Sequence, residues 1–153
     1  VQAVYMLAEI ANHLKLKGLT IIDYLDEIYS KYGAYYEYTH SIALKGIEGS
    51  QKIQEIMAYF RENPPKLEGK NLLGYDDVLQ SIRVEDGIKS HLDLPKSNVL
   101  KYIFEDDTWI VFRPSGTEPK IKLYYGTKQS TLEEAKAYLQ TIDQQIMKMI
   151  DKI

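Results

Sequence analysis

The sequence predicts an α+β fold: an antiparallel sheet of four to five strands with two helices on one face, preceded by a helical hairpin. Short strand-like runs between residues 36 and 126 are separated by turn residues, and residues 99–104 alternate apolar and polar as a half-buried strand does. A helical stretch at 50–63 stops at Pro64-Pro65, because proline cannot continue the hydrogen-bond ladder. The chain closes on a long amphipathic stripe that opens with a capping sequence.

The elements follow in order. Residues 1–17 place Val4, Leu7, Ala8, Ala11 and Leu14 on one helical stripe, and Gly18 caps it. Thr20 is the N-cap of a second helix with Asp23 in its first turn. Ile22, Leu25, Ile28, Tyr29 and Tyr32 form its apolar face, and Gly33 ends it. Two helices alone do not make a stable core, so this pair is expected to pack on something else. A strand is expected at about 36–44, which puts the domain boundary near 34–38 and divides the chain into 1–35 and 36–153. In the helix at 50–63, Ile53, Ile56, Met57 and Phe60 face the core. Short strands are expected at 72–75 and 80–84, with Asp76-Asp77 and Glu85-Asp86 as solvated turns. Residues 88–98 read as a surface loop. Residues 99–104 alternate as a strand, and Asp106-Asp107 turns the chain into a strand at 108–112. A further strand covers 120–126. Ser130-Thr131-Leu132-Glu133 reads as a capping box for a helix running to about 152. Its stripe is Leu132, Ala135, Leu139, Ile142, Ile146, Met149 and Ile153, and it is expected to cover one sheet face.

Length and composition set limits. The 153 residues suffice for one ordinary domain, or a small domain with an appendage. The net charge of −3 argues against a nucleic-acid surface, so an anion site must be a local basic patch. The chain has no cysteine, which excludes disulfides, thiolate metal sites and cysteine nucleophiles and suits a cytoplasmic protein. No apolar run reaches the roughly 18 residues of a membrane span, so no membrane partner is expected. No signal peptide is visible. The chain starts directly in helical periodicity and reads as the C-terminal piece of a longer protein.

Between the strands at 108–112 and 120–126 lies Arg113-Pro114-Ser115-Gly116-Thr117-Glu118-Pro119. The loop concentrates donors for a phosphate monoester. Arg113 offers a planar fork of N–H groups. Ser115 and Thr117 add hydroxyls, and Gly116 lets an anion approach the backbone closely. The two prolines restrict the loop and reduce the ordering entropy lost on binding. Lys120 and Lys122 share one strand face and could join Arg113 as three cations around one site. Glu118 is expected to turn away or to hold a cation in place. On chemistry alone, a polar hairpin turn punctuated by glycine and proline remains an equal reading.

Residues 113–119, continuing into 120–125, resemble the phosphate-binding loop of the α-D-phosphohexomutases, the phosphoglucomutase and phosphomannomutase family. The flanking order also resembles that family's C-terminal domain, with a Trp-containing strand before, a strand after and a terminal helix. Residues 1–33 resemble the two helices that close its third domain. The resemblance implies a TATA-binding-protein-like sheet domain. It also implies an enzyme that interconverts hexose 1-phosphate and hexose 6-phosphate through a phosphoserine and a bisphosphate intermediate. Carried over by position, it puts substrate phosphate on Arg113, Ser115, Gly116 and Thr117. Lys122 stands where some members carry arginine. The implied partners are a phosphosugar and the upstream domains of the same protein. The catalytic serine, the magnesium loop and the sugar-reading loop have no counterpart here, so this chain alone is expected to be inactive and to bind no magnesium.

Other candidates are weaker. His13, His40 and His91 lack metal-ligand spacing. Ser115 has no evident His or Asp partner, so it is read as a donor rather than a nucleophile. Tyr124, Tyr125 and Trp109 read as core packing. Sister enzymes acting on pentose or glucosamine phosphates would use a similar loop, and a non-catalytic phosphosugar-binding module is the alternative from another class.

Overall fold

The computed structural model describes residues 2–44 and 46–153. Val1, the start of the first predicted helix, and Lys45 lie outside the described residues. The chain runs α1 (Gln2–Leu16), α2 (Ile21–Tyr32), β1 (Ala34–Ala43), α3 (Gly46–Glu62), β2 (Leu72–Asp77), β3 (Ile82–Glu85), β4 (Ile88–His91), β5 (Leu100–Phe104), β6 (Trp109–Pro114), β7 (Lys120–Gln129) and α4 (Leu132–Ile150). The strands form one antiparallel sheet in the order β1-β7-β6-β5-β2-β3-β4.

The α+β class holds, but the sheet has seven strands rather than four to five. The short runs expected at 72–75 and 80–84 are full members of it. Residues 88–91, read as loop, form β4 at the edge. The signal for β4 was the dipeptide Asp86-Gly87. Both residues have positive φ, 50° and 77°, and they join Glu85 to Ile88 in a two-residue hairpin turn. Asp106 and Asp107, at φ 65° and 58°, make the turn expected there.

Helices α3 and α4 share one core with the sheet. Ile53, Ile56, Met57 and Phe60 of α3 and Leu139, Ile142 and Ile146 of α4 are buried with alternate residues of β5, β6 and β7. Two tyrosines lie fully inside with their hydroxyls satisfied, as burial of a polar group requires. Tyr102 donates to the Phe60 carbonyl at 2.7 Å, and Tyr125 donates to Asp143 Oδ1 at 2.7 Å. His40 Nδ1 lies 2.9 Å from the same Asp143 oxygen, so one carboxylate of α4 ties that helix to both β1 and β7. The capping box of α4 is Thr131 with Glu134, one residue later than expected.

The helical pair behaves differently. Thr20 and Asp23 form a reciprocal capping box at the start of α2. Leu14 is the buried residue of α1, and α2 buries none. Tyr5, Met6, Leu7 and Ile22 of the pair are more than half exposed. Sheet pairing begins at Ala34, directly after Gly33.

The acidic doublet at 76–77 corrects the sequence reading. Both residues lie in β2 rather than in a solvated turn, and both are buried. Arg83 Nε and an Nη donate to Asp76 at 2.7 and 2.9 Å. Arg61 Nε, at the end of α3, donates to Asp77 Oδ2 at 2.8 Å, and the other Asp77 oxygen accepts from the Leu79 and Gln80 amides. Removing one partner of such a pair leaves an uncompensated charge. Asp77→Ala should therefore cost about 3 kcal/mol or more in a urea unfolding measurement, while exposed Glu85→Ala should stay within about 0.5 kcal/mol. Equal effects would contradict the ion-pair assignment.

Candidate functional site

The strand period decides what the β6–β7 connection presents. Phe112 and Leu123 are fully buried under the helices. Their neighbours Arg113 and Lys122 therefore point to the opposite sheet face. These two cations are directly paired across the strands, and both are exposed. Among the described residues, neither has a carboxylate within 4.0 Å. Like charges directly opposite each other destabilise a sheet, so an anion between them would remove a repulsion.

Arg113, Pro114, Ser115, Gly116, Lys122 and Tyr124 line a cleft of about 160 Å³. A larger cleft of about 490 Å³ lies between α1 and α2, but it mixes Glu9 and Glu27 with His13 and Lys17 and gathers no comparable set of anion donors. The loop over the smaller cleft is anchored at both ends. The Ser115 amide donates to the Lys120 carbonyl at 2.8 Å, and the Leu44 amide donates to the Pro119 carbonyl at 2.9 Å. The Ser115 amide is thus consumed by the hairpin, and its hydroxyl is the group left for a ligand. Thr117 is exposed outside the cleft lining, with its amide 3.4 Å from Ser115 Oγ. At Gly116 the backbone is not left-handed, and a Cβ would meet nothing of this chain within 4 Å. The space beside it is open to an incoming group.

Two of the three cations considered in the sequence reach the cleft. Lys120 Nζ instead donates to Glu118 Oε2 at 2.9 Å, so Glu118 holds a cation, as expected. The Lys120 ammonium keeps the Glu118 carboxyl below the usual glutamate range, with Lys122 adding to the effect. Tyr124 departs from the core assignment. Tyr125 is in the core, whereas Tyr124 lines the cleft two residues from Lys122. Trp109 also lies on the outer face, directly over Gly126, where a Cβ would run into the indole. Adjacent tyrosines must face opposite ways in a strand, which was the available signal.

His13 and His91 are exposed, and His40 is engaged with Asp143. Among the described residues, no three His, Asp or Glu side chains converge as a metal site. Among the described residues, no helix is long and apolar enough to cross a membrane. Because the folded-state pKa of Glu118 is depressed, its pair with Lys120 persists above the ordinary glutamate range and is lost as pH falls through the lowered value. A carboxyl NMR titration should place Glu118 below the usual glutamate range. Lys120→Ala should bring it back up, and no change would exclude the pair.

The chain is similar to known proteins in sequence and in fold. The family described as phosphoglucomutase/phosphomannomutase, C-terminal domain, matches residues 50–145. A phosphoglucomutase of Staphylococcus aureus strain MRSA252 is 42% identical over 131 residues, covering 84% of this chain and 24% of that protein. The phosphoglucomutase of strain MSSA476 is 41% identical with the same coverage. The chain thus spans about a quarter of the length of these relatives. In fold it is similar to the open form of the Paramecium exocytosis-sensitive phosphoprotein pp63/parafusin, a phosphoglucomutase. That match has a TM-score of 0.52 at 19% identity and covers 86% of this chain and 23% of the other. The chain belongs to the phosphoglucomutase/phosphomannomutase family and carries its C-terminal domain.

Proposed function

We propose that the cleft at 113–116 and Lys122 holds the phosphate of a phosphosugar. In this reading the whole protein interconverts hexose 1-phosphate and hexose 6-phosphate through a phosphoserine and a bisphosphate intermediate. The observation that carries the reading is the opposed, uncompensated pair Arg113 and Lys122 beside the Ser115 hydroxyl. Residues 36–153 are then the phosphate-binding domain, and the helices before them are the end of a preceding one.

The residues suit holding a phosphate rather than attacking one. Arg113 grips two phosphate oxygens with its fork, and Lys122 adds a point charge. The Ser115 hydroxyl and the Gly116 amide supply neutral donors, and Thr117, next along the loop, is a further donor in this reading. Among the described residues no carboxylate or imidazole is hydrogen-bonded to Ser115 Oγ, so in this reading phosphoryl transfer belongs to residues outside this set. The residues present do not fit a magnesium ion, since no ligand set converges among those described. A mutase that turns its bisphosphate intermediate must seat either phosphate in turn. A clamp that reads only the dianion meets that need, which leaves the choice of sugar to other groups.

An amide NMR titration of this chain with glucose 1-phosphate tests the reading, with sulfate and neutral glucose as controls. Shifts should be centred on the cleft residues 113–124, with those at 113–122 shared by glucose 1-phosphate and sulfate, and should be absent with glucose. Arg113→Ala should weaken glucose 1-phosphate by about tenfold or more, the worth of a charge-assisted bidentate contact. Binding that is indifferent to Arg113, or shifts centred elsewhere, would place the phosphate at another site.

A further inference from the structure

We infer that Tyr124 is a sugar-facing positioning residue of this cleft: its ring carries the C–H face of the phosphosugar while Arg113 and Lys122 hold the phosphate. This rests on the phosphate-site reading above.

Tyr124 shares the outer sheet face with Lys122, two residues away, and both line the cleft with Arg113. Its cross-strand neighbours are Val111 and Thr39, whose side chains are short. No other ring pairs with it among the described residues. No cation sits over it either, although lysines cover the rings of Tyr32, Tyr35, Tyr36 and Tyr138. Among the described residues the half-buried ring thus has no aromatic or cationic partner over its face, while it lines the cleft with two cations.

A phosphate gains nothing from the face of that ring. The face of an aromatic carries negative charge, so it repels phosphate oxygens and attracts positively polarised groups. The C–H bonds of a sugar ring are polarised in that sense by their oxygens. The phenol hydroxyl can also exchange hydrogen bonds with a sugar hydroxyl. The cleft thus has a cationic part for the ester phosphate and an aromatic part for what the phosphate is attached to.

The test compares methyl phosphate, a dianion without a ring, with glucose 1-phosphate at constant ionic strength. Affinities are read by amide NMR for the wild-type chain, Tyr124→Phe and Tyr124→Leu. Methyl phosphate should bind all three alike. Glucose 1-phosphate should bind Tyr124→Leu about three- to tenfold more weakly, the worth of one aromatic contact, and Tyr124→Phe within about twofold of wild type. If Tyr124→Leu weakens both ligands equally, or neither, the ring does not face the sugar and the inference falls. If methyl phosphate fails to bind the wild-type chain at tens of millimolar, the phosphate-site reading fails and takes the inference with it. Tyr124→Thr, which has high strand propensity, replaces the leucine variant should that one lose its sheet.

Discussion

The pairing of β6 with β7 is the constraint on which the rest depends. Side chains in a strand alternate faces with a period of two. Ile110 and Phe112 on β6, and Ile121, Leu123 and Tyr125 on β7, must all face the helices because they are the centre of the core. Arg113, Lys122 and Tyr124 are consequently turned outward, and the register sets the two cations opposite each other. A slip of one residue would send the charges into the core and the aromatic residues into water. The apolar burial that holds the fold together is thus also what aims the site.

The treatment of charge separates stability from function. Asp76 and Asp77 are buried, and each meets an arginine at hydrogen-bond distance. Asp143 accepts from Tyr125 and pairs with His40 where α4 meets the sheet. Even on the exposed loop, Glu118 is matched with Lys120. Arg113 and Lys122 are arranged differently: two cations set directly opposite each other across paired strands, with no carboxylate within 4.0 Å among the described residues. Opposed like charges break a local rule of sheet pairing, and the proposed phosphate site rests on that feature.

The anchoring matters as much as the charge. Bonds from the Ser115 amide to the Lys120 carbonyl and from the Leu44 amide to the Pro119 carbonyl hold both ends of the loop, and Pro114 and Pro119 restrict its backbone. A loop held this way loses little freedom when an anion arrives. The helical pair at the other end of the chain shows the opposite condition. Its turn is well capped, but its apolar residues find few partners within this chain.

The sequence by itself determined the features whose causes are local. Proline ends α3, capping residues open α2 and α4, and Arg113-Pro114-Ser115-Gly116-Thr117 between two strand-like runs marked the candidate site. Tertiary structure decided what depends on distant partners. Asp76 and Asp77 looked like a solvated turn because Arg83 and Arg61, which make their burial tolerable, become neighbours only once β3 and α3 are in place. Lys120 and Lys122 were equivalent by spacing, and the bond to Glu118 in the folded loop withdrew one of them. Tyr124 and Tyr125 are chemically identical neighbours. The packing of α3 and α4 on one face chose Tyr125 for the core and left Tyr124 beside the cations, because only one side of a strand can be covered by a given layer.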